Sequence, residues 1–137
     1  EIYRKSFSLN KIINKENGQD IILSYKRAAN IIENESKNKS LELAETADPG
    51  IFKNDFEKNL FKNIKELKKY FSNIDKDENY EITLDNLKKA KPIIFAFFDN
   101  VVVNDDDETI KKNRLELLQM FCRTFDNYIN FSKIESA

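Results

Sequence analysis

Oxygen-bearing side chains alternate along Asp75-Lys76-Asp77-Glu78-Asn79, and the backbone carbonyl of Glu81 continues the same spacing. Alternate positions of a tight loop converge on one point, and a hard cation such as calcium wants about six to eight oxygens at about 2.3 to 2.6 Å. Asp75, Asp77, Asn79 and Glu81 are therefore the candidate metal ligands. Little other chemistry is on offer. With no His in the chain, the usual general base, the Ser-His and Cys-His pairs and the common zinc ligand are all missing. No nucleophile, base and orienting group can be assembled, so the sequence is not expected to be an enzyme or to take a small-molecule substrate. Cys122 reads as a small buried apolar residue, because no His or clustered cation stands by to lower its pKa.

The elements that must position such a loop are helices. The chain has 137 residues with only two Gly and two Pro, whereas hairpins, barrels and phosphate-cradling loops consume Gly for positive φ. An all-α fold follows, as one domain or two small lobes. Eleven Phe and 40% hydrophobic residues supply a core, while 34% charged residues leave a polar exterior. A net charge of -1 and a pI near 5.7 carry no electrostatic footprint for nucleic acid or an anionic membrane, so neither nucleic-acid binding nor membrane insertion is expected. The longest apolar run, Pro92 to Phe98, is far shorter than a membrane span. One Cys cannot form an internal disulfide, which favours a reducing, cytoplasmic compartment. Because the chain opens at Glu1 without Met, a fragment of a longer protein is expected.

Apolar periodicity divides the chain further. Ile2, Tyr3, Phe7, Leu9 and Ile12 suggest a first helix, Ser24 caps a second through Tyr25, Ala28 and Ile31, and Ser40 caps a short third before Asp48-Pro49-Gly50. Phe56, Leu60, Ile64, Leu67, Phe71 and Ile74 recur every three or four residues, predicting one long central helix. Thr83 or Asp85 opens the next, which Pro92 should kink or split from an aromatic continuation near Val103. The acidic run 104–108 reads as a turn whose last Asp caps a helix over Ile110 to Phe121.

The segment Leu67 to Leu87 resembles an EF-hand: Phe71 matches the entering helix, Asp75, Asp77 and Asn79 match loop positions 1, 3 and 5, and Ile82 matches position 8. A second stretch aligns with it, with Asn14 at position 1 and Ile21 at position 8. Ala47 to Phe56 and Phe125 to Phe131 look like shortened partners of the two. Four units in two pairs is the calmodulin plan. The loops are nonetheless poor cation sites, with Tyr80 where Gly makes the sharp turn and Asn86 where a bidentate Glu belongs, so no cofactor and no calcium are expected.

Degenerate loops, two of them clipped, make the chain similar to the apicomplexan myosin light chains of the myosin A tail-interacting kind, or to the calmodulin-like end of a larger light chain such as that of myosin B. That resemblance implies four degenerate EF-hands in two lobes joined by a long central helix, with an N-lobe over 1–62 and a C-lobe over 63–137. It implies a myosin heavy-chain tail helix clamped between the lobes, independently of calcium, and stiffened as a lever arm. The groove anchors would be Phe7, Tyr25, Ala28, Ile31, Phe52 and Phe56 in the first lobe. In the second they would be Phe71, Leu87, Ile94, Phe97, Leu118, Met120, Phe121 and Phe131. Each of these is also the kind of residue a helical bundle keeps for its own core. Two alternatives stand beside this reading: a calcium-sensing EF-hand module, and a helical surface or adhesion domain in which the loop likeness is accidental.

Overall fold

The computed structural model describes residues 16–38, 42–73 and 80–126. Four helices account for most of them: α1 (Glu16–Asn38), α2 (Asp55–Asn73), α3 (Tyr80–Asn100) and α4 (Glu108–Asp126), with a 3-10 turn at Pro49–Ile51. Among the described residues there is no strand, and no helix is long and apolar enough to cross a membrane. The all-α expectation is met.

α1 and α2 each pack against both α3 and α4, so they stand at opposite corners of one bundle. The periodic stripe on α2 explains its place. Leu60, Ile64, Leu67 and Phe71 fall on one side of the helix and are all buried, and each such side chain contributes about 1.5 to 3 kcal/mol. Phe71, Phe121 and Phe125 meet at the centre, the rings of Phe71 and Phe125 lying 5.8 Å apart and those of Phe121 and Phe125 5.2 Å apart, both edge to face.

This arrangement corrects the calmodulin-like plan of four EF-hands in two lobes. The helix read as a connector between lobes has its apolar face sealed inside the bundle, where a connector would leave it to solvent or to a bound partner.

Three local expectations are also corrected. Ser24 does not start a helix: α1 begins eight residues earlier at Glu16, and the Ser24 hydroxyl donates to the Asp20 carbonyl at 3.0 Å, one turn back in the same helix. The short helix from Ser40 is absent over residues 42–44, because that segment is lashed to α4 instead. The Ala44 N–H donates to Glu116 Oε2 at 2.6 Å, and the Asp48 N–H donates to Asn113 Oδ1 at 2.7 Å. Finally, of the kink or split expected at Pro92, the split does not occur: α3 continues as one helix from Tyr80 to Asn100. The Pro92 ring faces solvent, while Leu87, Ala90, Ile94 and Phe97 are buried on the other side and hold the helix together across the missing hydrogen bond.

Asp107 does cap α4 as its position suggests, its Oδ1 accepting from the N–H groups of Thr109 at 2.9 Å and Ile110 at 3.3 Å. α2 is capped in the same way by Asn54, whose Oδ1 accepts from the Glu57 N–H at 3.0 Å. The Glu57 carboxylate reaches back to the Lys53 N–H at 2.9 Å, a variant of the capping box displaced by one residue.

Candidate functional site

On α2 the lysines that face away from the core form a pattern. Lys58, Lys62, Lys65 and Lys69 are spaced by four, three and four residues, which confines them to roughly 60° of arc along roughly 16 Å of helix. All four are exposed. The apolar positions of α2 lie on the opposite side, so the stripe points straight out of the bundle. Lys65 Nζ sits 4.7 Å from the centre of the half-buried Phe61 ring, which in turn meets Phe52 edge-on at 5.4 Å. An aromatic ring therefore flanks one of the four cations, Lys65.

Beside this stripe a cavity of about 210 Å³ opens between α2, α4 and the segment that leads to the 3-10 turn. Its floor is apolar, made by the buried Ile64 and by Met120. Lys68 from α2 and Arg123 from α4 flank it, with Thr46, Thr124 and Glu45 on the rim. The rim is fastened: the Ala47 N–H donates to the Met120 sulfur at 3.3 Å, and the Thr124 hydroxyl donates to the Met120 carbonyl at 2.8 Å. A second cavity, of about 290 Å³, lies on the other side of the bundle between α1 and α3, where the Arg27 guanidinium stacks 4.3 Å over the Phe98 ring beside the exposed Phe95.

Those of the expected groove anchors that are described fall in or against one core. Ala28, Phe71, Leu87, Ile94, Phe97, Leu118 and Phe121 are buried in the one core, and Tyr25, Ile31, Phe52, Phe56 and Met120 pack against its edge. Tyr25 also donates through its hydroxyl to the Asp126 carboxylate. Phe7 and Phe131 lie outside the described residues, as do Asp75, Asp77 and Asn79 and the side chain of Glu81. Among the described residues no group of three or more His, Cys, Asp or Glu could hold a metal ion. Cys122 is buried, its Sγ 3.8 Å from the Tyr25 carbonyl, and burial followed by the charge of Asp126 pushes its thiol up to about 12.

Neither the basic stripe nor the cavity between Lys68 and Arg123 is anticipated by the charge and motif arguments made from the sequence. The signal is present in the four-three-four spacing of lysines, but a net charge of -1 hides it, since over the whole chain 24 acids cancel 23 bases.

Comparison with known proteins gives this surface a context. The chain is 35% identical over 127 residues to the glycine--tRNA ligase beta subunit of Rickettsia bellii, which covers 93% of this chain and 18% of that protein. The corresponding subunits of Rickettsia prowazekii and Rickettsia felis are each 32% identical over the same length, with the same coverage. The chain thus spans about a fifth of the length of the curated relatives it matches. The family described as the DALR anticodon binding domain matches residues 21–136.

These findings overturn the light-chain resemblance, with its myosin heavy-chain partner and motor role, the calcium-sensor alternative, and the absence of a nucleic-acid partner that the balanced charge suggested. They also overturn the expectation that the sequence is not that of an enzyme, since the relatives are subunits of a ligase. The physical reason for the error is that helices separated by acidic, Asn-rich turns describe any helical bundle as well as they describe paired EF-hands. With the match extending over nearly the whole bundle, the chain belongs to the DALR anticodon binding domain family.

Proposed function

We propose that this chain is the tRNA-contacting helical domain of a glycine--tRNA ligase beta subunit, and that α2 presents its lysine stripe to the phosphate backbone of the anticodon stem and loop. The family match over residues 21–136 carries the reading. The stripe supports it on physical grounds, because Lys58, Lys62, Lys65 and Lys69 gather a line of positive charge on one helix face of a chain whose net charge is only -1. Phosphate contacts fix orientation and supply affinity, while any reading of bases belongs to other side chains. The full-length protein would then take part in joining glycine to its tRNA, with this domain positioning the RNA and supplying no reacting group. A cytoplasmic site of action goes with an RNA partner, and the domain needs neither calcium nor another cofactor for this role.

The test is direct. The full-length protein carrying this chain is titrated with a glycine tRNA transcript over a range of KCl concentrations. The slope of log affinity against log salt is then compared with that of the variant in which Lys58, Lys62, Lys65 and Lys69 are all changed to Gln. Every phosphate that the variant no longer neutralises lowers the magnitude of that slope by about 0.7 to 0.9. A variant with the parental slope and affinity would show that α2 is not the RNA face.

A further inference from the structure

We propose that the cavity between α2 and α4 seats a single phosphodiester of the bound RNA between Lys68 and Arg123, anchoring the strand that runs along the α2 stripe. The inference rests on the RNA-binding reading above and assigns a defined point within it. Lys68 and Arg123 come from two different helices yet flank the same cavity, both are exposed, and neither makes an ion pair among the described residues. Two unpaired cations held across one concavity attract an anion more strongly than either does alone. Among the described residues Glu45 is the one carboxylate in the lining, which leaves the excess there positive.

The surroundings favour a phosphate. Ile64 and Met120 make the floor apolar, so the charges above it are less screened on that side than on an open surface. The bond from the Ala47 N–H to the Met120 sulfur ties the segment that carries Glu45 and Thr46 to α4 before any ligand arrives. The Thr46 hydroxyl adds a neutral donor at the same rim. A volume of about 210 Å³ admits a phosphate group together with some of its water. Lys68 stands three residues beyond Lys65, on the flank of α2 that turns from the stripe toward α4, so a strand that leaves the stripe on that side reaches the mouth of the cavity. Arg123 can meet two phosphate oxygens at once through its planar fork, whereas Lys68 acts as a point charge.

One phosphate shared by two cations gives a distinctive pattern. In the full-length protein, Lys68→Ala and Arg123→Ala each weaken binding of a glycine tRNA transcript by about tenfold, and the double variant is little weaker than either single one. The double variant also reduces the magnitude of the salt slope by only about 0.7 to 0.9, the value for one phosphate. Arg123→Lys falls between the parent and Arg123→Ala, because a point charge replaces the two-pronged contact, and matched thermal melts show the fold intact. The proposal is overturned if the parent binds tRNA with salt dependence while the double variant keeps the parental slope. It is overturned too if inorganic phosphate shifts the NMR signals of Lys68 and Arg123 but the tRNA slope ignores both substitutions, which would mark a free-anion site. A parent protein that does not bind tRNA at all removes the RNA-binding reading itself, and this inference with it.

Discussion

Arg114 of α4 reaches across the bundle to Glu57 of α2, its Nε 3.3 Å from Oε2 and its Nη2 3.4 Å from Oε1, with the Glu57 side chain fully buried. The same guanidinium donates through Nη1 to the Val102 carbonyl at 2.7 Å and to Asp105 Oδ2 at 3.3 Å. One side chain therefore ties the capped start of α2 to the loop between α3 and α4. The lysine stripe begins one residue after Glu57, so this pair also sets where the stripe starts.

Removing one partner of a buried pair leaves the other charge without compensation, which costs about 3 to 5 kcal/mol. Arg114→Met is accordingly expected to destabilise the bundle by about that amount in urea unfolding. The double variant Arg114→Met, Glu57→Gln should recover part of the loss, because no unpaired charge remains. A single variant within about 0.5 kcal/mol of the parent would mean that water reaches Glu57.

Pro92 sits on the outer side of a helix that continues through it, and it supplies no N–H to the Lys88 carbonyl. Pro92→Ala restores that hydrogen bond at an exposed site without touching the core. Stability should rise by about 1 to 3 kcal/mol, and amide exchange along residues 88–96 should slow. Unchanged exchange would indicate that the turn around Pro92 has already found other partners.

Lys111 Nζ lies 2.6 Å from Glu35 Oε2 and joins the end of α1 to the start of α4. The hydrogen bond from Lys111 to Glu35 raises the lysine pKa above 10.5, opposed by desolvation and helped by the charges of Glu35 and Glu108. A raised lysine pKa stabilises the fold fully below the unfolded value, and that contribution is lost as pH rises through the folded one. NMR titration of the Lys111 ε-carbon should therefore show a midpoint above 10.5 that falls back in Glu35→Gln. An unmoved midpoint in that variant would assign the shift to Glu108.

What could be read from the sequence and what could not divide along physical lines. α2 was legible because six apolar residues at helical spacing admit one interpretation, and the Asp107 cap was legible because an acid before a helix start acts locally. Ser24 misled, since the residue types that cap helices also bond backward inside them. The Arg114 and Glu57 pair left no trace: 57 residues separate the partners, and neither residue type announces burial. The alternating oxygens from Asp75 to Asn79 misled in another way, because Asp and Asn are also what ordinary turns require. The basic face was written plainly in the α2 lysines, yet total charge averages over surfaces that the fold keeps apart.

Cys122 offers the sharpest check on how tightly α1 and α4 close. Its thiol is an acid whose folded pKa, about 12, stands above the ordinary 9.0, chiefly because burial penalises the thiolate. Between those two values the unfolded chain gives up a proton that the native one keeps. Stability therefore falls as pH rises from about 9 toward 12, by up to about 4 kcal/mol from this group. Cys122→Ala should flatten that part of the stability profile, at a modest cost at pH 7 because the sulfur no longer fills its place between the helices. At pH 8 the native thiol should resist a disulfide reagent that attacks thiolates, and should react only in denaturant. Rapid labelling of the folded protein would mean that Cys122 and the Tyr25 carbonyl part readily, and that α1 is a looser member of the bundle than its packing implies.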